Sequence, residues 1–225
     1  MTFLELCQMV ARESGTVSGT LPTAVTGQTG REGKIVYWTQ EAWRRIQNSR
    51  RGWRWMRAEF EKPIGASSQR YTAAAFSLDR LADWITEPDT LTVYDTAIGV
   101  ADEQSIPFIP FDEYRARYER GTRIAGRPVH FSVSDAGELC FPKMDTDYTV
   151  RGLYRKTPQS LAANTDIPEM PLRFHDLIAW DALQLLAEHD EADFHVIINR
   201  TRKSELMADL MRDQLPRVAT AGTLA

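Results

Sequence analysis

Apolar residues recur at spacings of three and four along four stretches of this chain, and at spacings of two across its middle. The longest helical stretch runs from Pro171 to Met211, with no glycine inside it and its one proline at the first residue. Pro171 suits a first helical turn, where its missing N–H has no partner to lose. Phe174, Leu177, Ile178, Ala182 and Leu185 share one helical face. Trp180, Leu183 and Ala187 add a second apolar stripe. A helix apolar on two sides must be covered on two sides, within a bundle or between subunits. The polar knot His189-Asp190-Glu191-Ala192-Asp193 precedes a second helix from about Phe194, so the stretch reads as a helical hairpin.

Two further helices open the chain. Thr2 to Ser14 carries Phe3, Cys7 and Val10 on one face, with Leu4, Leu6 and Ala11 beside them, and Thr2 with Glu5 forms a capping-box pattern. Ser14-Gly15 stops it. A glycine-rich connection follows, with Leu21 and Val25 as its sizeable anchors. Arg31 to Arg51 is the second helix: Ile35, Trp38, Ala42 and Ile46 give its main face, Val36 and Trp43 another, and Gly52 ends it.

From Trp53 to about Thr157 the period changes. WRWMRAEFEKPI leads from a bulge or frayed helix end into a strand. RYTAAAF, TLTVYDT (90–96), RPVHFSV (127–133), ELCFP and DYTVRGLYRK (147–156) read as strands, with Ser134-Asp135-Ala136-Gly137 as a hairpin turn. PFDEYRARYERG is a helix, with Asp112 as N-cap and Gly121 as stop. DRLADWIT (79–86) reads as a short helix or turn. Seven of the eleven prolines fall in residues 53–158, which fits an irregular β-rich module. LAANTDIPEM then links back to the hairpin.

Neither terminal pair of helices has a covering layer of its own. The expected fold class is therefore α+β: a four-helix core built from both chain ends, with an inserted β-rich lobe. The divisions are 1–52 for the first helices, 53–158 for the lobe, 159–213 for the hairpin and 214–225 for a flexible tail.

Composition changes this picture little. The 225 residues are 43% hydrophobic and 26% charged, ordinary for a protein with a sizeable core. The net charge of −4 gives no global nucleic-acid signature. No apolar run approaches the ~20 residues that span a bilayer, and the N-terminus has acid where a signal peptide has base. These features predict a soluble, cytoplasmically made protein without a membrane partner. Cys7 and Cys140 stand apart from any C-x-x-C pair, which predicts buried thiols.

Candidate chemistry is sparse. GQTGREGK (27–34) fails the phosphate-loop pattern, because Gln28 stands where a glycine is needed and Ile35 where Ser or Thr binds magnesium. His189, Asp190, Glu191, Asp193 and His195 are a dense ligand-type cluster, but H-x₅-H does not put both imidazoles on one helical face. His175 is a candidate capping or interface residue. No catalytic residue, metal site or cofactor is expected. The local charge is more informative. Eight Lys/Arg oppose two Glu between Arg31 and Arg57, with Trp43, Trp53 and Trp55 interleaved. Nine Asp/Glu oppose five Lys/Arg between Pro171 and Asp213. Arginine and tryptophan are enriched at protein interfaces, arginine also contacts DNA backbone, and opposed charges suggest pairing within or between subunits.

The opening MTFLELCQMVARESG, the GQTG loop, the helix IVYWTQEAWRRIQ with its following WRWMR, and the P-x-x-F-H-x-L-I-x-W-x-A-L-x-x-L-A-E-H-D-E-A run (171–192) resemble the head-to-tail adaptor, or connector, proteins of tailed bacteriophages, especially short-tailed ones. The resemblance implies a structural virion protein with no enzymatic activity, placed at the head–tail junction and made in the host bacterial cytoplasm. It implies a ring, usually of twelve copies, between the portal protein and the tail (nozzle) protein. Genomic DNA would pass through its channel without sequence-specific binding. The residues expected at subunit or portal interfaces are Trp43, Arg44, Arg45, Arg50, Arg51, Trp53, Trp180, Leu183, Ala187, Leu215, Arg217 and Val218, the last three in a tail that orders on the portal. Two other readings are a monomeric α+β ligand-binding or enzymatic domain, and a DNA-binding module using the 44–57 stretch.

Overall fold

The computed structural model describes residues 1–15, 20–190 and 193–216, with backbone alone over 193–199. The chain is α+β, and it divides into two compact units, residues 1–56 with 158–225 and residues 57–157.

The helical unit begins with α1, Phe3–Glu13. Its N-terminal donors are accounted for by name. The Glu5 carboxylate accepts from the Thr2 N–H at 2.7 Å and the Thr2 hydroxyl accepts from the Glu5 N–H at 3.3 Å, which completes the capping box. The Phe3 and Leu4 N–H groups donate to the carbonyls of Asp166 (2.7 Å) and Asn164 (3.2 Å). The 160–170 segment is therefore a structural strap. Val25 donates its N–H to the Asn164 side chain, Gln47 clamps Gln159 through both ends of its amide, and Leu161 and Met170 are buried.

Gly30, in the left-handed region at φ +57°, turns the chain into α2, Gly30–Asn48. The buried face is Ile35, Thr39, Ala42, Trp43, Ile46 and Gln47. Trp38 packs against the core as a half-buried residue, and Thr39 joins the fully buried face with its hydroxyl satisfied by the Ile35 carbonyl at 2.7 Å. The helix ends at Asn48, three residues before the expected Arg51. The Ile46 carbonyl there accepts from the Ser49 hydroxyl (2.7 Å) and the Trp53 indole (3.0 Å).

A 3-10 turn, Leu172–Phe174, leads into α4, Asp176–His189, and α5 spans Asp193–Gln214. α4 packs against α1, α2 and α5. Its buried set, Leu177, Ile178, Ala179, Ala182, Leu183, Leu186 and Ala187, covers more than one face, as its two stripes predict. Leu210 is the buried residue contributed by the side-chain-described part of α5.

The second unit begins with β1, Arg57–Ile64, after a 3-10 turn at Arg54–Met56. β8, Tyr148–Lys156, is the hub of its larger sheet. β1 pairs along one side of β8, antiparallel, from Arg57↔Arg155 to Ile64↔Tyr148. β4 (Leu91–Asp95) and β3 (Leu81–Trp84) pair with its other side, and β5 (Gln104–Ser105) pairs with β4. Phe60, Ile64, Leu91, Val93, Tyr148, Val150 and Tyr154 face the core. Gly152 makes room for Phe60: a Cβ there would lie 2.8 Å from the Phe60 ring. A smaller sheet has the order β2 (Arg70–Tyr71), β7 (Leu139–Cys140), β6 (Ser132–Val133), and the 134–137 turn closes β6 onto β7 with Gly137 at φ +76°.

Three expectations are corrected here. The 79–86 segment contains a strand, β3, rather than a helix or turn, because the free side of β8 offers it hydrogen bonds beyond the end of β4. Strand structure in 127–133 is confined to Ser132–Val133, and in 70–76 to Arg70–Tyr71. The helix after residue 110 is capped from Pro110, not Asp112. It runs as α3, Phe111–Tyr114, and then as a π turn over Arg115–Glu119.

Candidate docking surfaces

The charge contrast seen in sequence is partly consumed within the helical unit. Arg31 reaches Asp190 at 2.5 Å, and Arg173 pairs with Asp213. Hydrogen bonds from His189 and Arg31 hold the Asp190 carboxyl below its usual range, and Gln214 and Arg173 do the same for Asp213. What remains outside is a face of α2 and the turn after it. Arg44, Arg45, Arg50, Arg51 and Arg54 are all exposed there. Glu41 takes a two-pronged bond from Arg44 at 2.8 and 2.6 Å, which lowers the Glu41 pKa and fixes that guanidinium in place. Beside it lies a groove of about 420 Å³, lined by Tyr37, Gln40, Glu41, Arg44, Asn48 and the 158–162 strap. Tyr37, which sequence reasoning passed over, is 56% exposed on the same face, one helical turn before Glu41.

The tryptophans belong to the support rather than the surface. Trp43 and Trp53 are buried, and Trp55 stacks between them at centroid distances of 6.4 and 4.5 Å. Both residues were expected at an interface, and both lie in the unit's own core, where the Trp53 indole donates to the Ile46 carbonyl. Leu183 and Ala187 are likewise buried in the unit's own core. Trp180 is half-buried, with the Arg202 guanidinium 4.5 Å from its ring centroid. Leu215 packs on the helical core over Gly52, so the chain stays on the unit past Met211. Arg217 and Val218 lie outside the described residues.

Two buried polar groups were not legible as such. Asp181 is 1% exposed within α4 and meets Lys203 of α5 at 2.5 Å. The signal was a carboxylate standing between Leu177 and Leu185 on an apolar face, but its partner is 22 residues away and unreadable from spacing. His175 is buried, its Nε2 3.0 Å from the Met170 carbonyl, and burial lowers its pKa. Burial also pushes the Cys7 thiol up to about 12, which leaves it inert as a nucleophile. Among the described residues no His, Cys, Asp and Glu group has the geometry of a metal site. Neither is any helix there long and apolar enough to cross a membrane.

In the second unit the open face of the larger sheet is polar. Glu61 is shared by Arg151 (3.2 Å) and the Tyr94 hydroxyl (2.6 Å), and Arg151 also reaches Glu103 at 3.3 Å. A hollow of about 510 Å³ lies over Glu59, Glu61, Asp89, Thr92 and Arg151. This is the expected wet side of an antiparallel sheet. Both units thus present charged hollows at their surfaces.

Comparison with known families places this arrangement. A family model described as SU10 adaptor protein matches residues 1–223. No curated protein matches the chain. With the match spanning both units, the chain belongs to the SU10 adaptor protein family, in agreement with the resemblance to bacteriophage head-to-tail adaptors.

Proposed function

We propose that this family member is a structural virion protein whose copies form a ring, of about twelve by family resemblance, between the capsid portal and the tail. The ring continues the channel through which DNA passes. The observation that carries the reading is the family match across 1–223, which takes in the helical unit and the β unit together. The helical unit, read as a four-helix core from both chain ends, docks on the portal through the basic face Arg44, Arg45, Arg50 and Arg51. The exposed arginines on that face support this role. Phosphate-rich DNA in the channel needs no base-reading residue. The segment from Arg217 onward adds a second portal contact, and Leu215 anchors its start on Gly52. Host-cytoplasmic synthesis followed by incorporation at the head–tail junction completes the reading.

The test mixes the protein with portal particles and follows complex formation by light scattering and negative-stain imaging. Rings seated on the portal are expected. Replacing Arg45, Arg50 and Arg51 together by Glu should abolish seating while the far-UV spectrum is unchanged. A wild-type protein that stays monomeric beside every portal preparation of its own phage overturns the reading. Salt-dependent binding to linear DNA without portal binding would favour the DNA-binding alternative.

A further inference from the structure

The outer side of β1 is an open sheet edge. Its orientation follows from the hydrogen bonds of its neighbour. The Leu153 carbonyl accepts from the Ile85 N–H at 3.1 Å, on the side of β8 away from β1. In an antiparallel ladder the N–H and C=O of one residue point the same way, and directly opposed residues alternate between bonded and non-bonded pairs. Leu153 is opposite Glu59. Glu59 therefore turns its own N–H and C=O outward, and so do Arg57, Glu61 and Pro63 at the same parity. Pro63 agrees independently, since an edge strand tolerates proline where the N–H would face outward. Glu59, Glu61 and Pro63 are exposed, and β8 is the only strand paired with β1 among the described residues.

The same unit carries a segment with the opposite need. Residues 121–125 are exposed, and Ile124 at 85% is the most exposed large hydrophobic residue of the chain's described part. No backbone hydrogen bond forms at 121–125 among the described residues, and the next one is Gly126 N–H to the Lys143 carbonyl. Laid antiparallel on β1 with Arg123 opposite Glu61, this segment sets Gly121 opposite Pro63 and Ile124 opposite Phe60. Arg123 then shares the open face with Glu59 and Glu61, and Ile124 lies on the apolar side. The register matches charge to charge and apolar to apolar.

We propose that the β1 edge is a docking rail for the 121–126 loop of a second copy, which adds to the sheet as an antiparallel strand. The inference rests on the ring reading, and it makes the contact heterologous, each copy giving a loop to one neighbour and an edge to the other.

Cysteine cross-linking tests it. Bonded antiparallel pairs stand about 5.5 Å apart at Cα, within disulfide reach. The Glu61→Cys/Arg123→Cys variant, oxidised on the portal, should give a ladder up to the full ring. Glu61→Cys mixed with Arg123→Cys, concentrated without portal, should give a dimer and stop there. Glu61→Pro, which removes an outward N–H at a position of the same parity as Pro63, should cut association at least tenfold while amide exchange shows β1 and β8 still protected. Rings that form without cross-links, or that form equally well with Glu61→Pro, overturn the rail and leave the adaptor reading standing. Cross-linked dimers from the mixed variants beside a portal that is never engaged support the rail and sink the adaptor reading.

Discussion

The helical unit and the β unit place their charged groups differently. In the helical unit polar side chains are taken into the core: Asp181 with Lys203, His175 on the Met170 carbonyl, Thr39 on Ile35, Gln47 on Gln159. In the β unit the ion pairs stay toward the surface, as with Arg127 and Asp102 or Arg155 and Glu87, while its core is built from rings around Phe60. The helical unit should therefore be most vulnerable to removal of single polar side chains, and the β unit to changes in backbone fit. Five of the six tryptophans lie in the helical unit, so their fluorescence reports on it, and amide exchange at β1 and β8 reports on the other.

Lys203→Met tests the contrast most severely. It leaves the Asp181 carboxylate buried without its cation, and should cost about 3 kcal/mol in urea denaturation followed by tryptophan fluorescence. Adding Asp181→Leu should restore most of that loss, and β1 exchange should not move in either variant. An unchanged midpoint for the single variant would mean that water already reaches the carboxylate.

Gly152→Ala is the counterpart in the β unit. The added methyl must displace the Phe60 ring, at a cost of about 1–3 kcal/mol. Lost amide protection in β1 and β8, with tryptophan fluorescence unmoved, is the expected readout. Loss in both units at once would contradict the separation.

Thr2→Ala removes one half of the capping box and should lower the helical unit's stability by about 1 kcal/mol in the same denaturation assay.

The smallest effect is one of pH. His175 has a folded pKa below its usual 6.5 because burial disfavours the imidazolium. Below pH 6.5 the unfolded chain binds a proton that the folded chain resists, so stability is present above that pH and is lost as pH falls. Asp102 of the β unit is also lowered, by the Asp95 N–H and by Arg127, but its usual value is 3.8. Its contribution is lost only as pH falls below about that value. Between pH 7 and 5 the helical unit should weaken first, and His175→Gln should flatten that slope.

How much of this was readable from residues follows the same division. α1 with its Thr2–Glu5 box, the apolar faces of α2 and α4, and the hairpin were visible because helical period and capping are local. The 79–86 segment misled because Leu81, Trp84 and Ile85 are spaced as on a helix, and only the vacant side of β8, some 70 residues away, makes Leu81–Trp84 a strand. The exposed arginines of the candidate site were legible as a charge excess. Trp43 and Trp53 were not legible as core, because the fold of the chain after Asn48 decides which side of an indole faces water. Asp181 was passed over in the sequence, and the position of its partner Lys203 depends on how α5 lies on α4.

The paired ends of the β unit have one more consequence. Arg57 stands opposite Arg155, so the 97 residues between them return to within a strand's width of where they left. Joining the two separated halves of the helical unit across an unstructured loop of that length would cost about 4 kcal/mol in chain entropy. A folded β unit acts instead as a clasp, and the sequence gap it closes becomes almost local. The β cassette should therefore accelerate assembly of helices encoded at opposite ends of the chain. Exchanging it for any compact domain with equally close termini should preserve that service while replacing its docking surfaces.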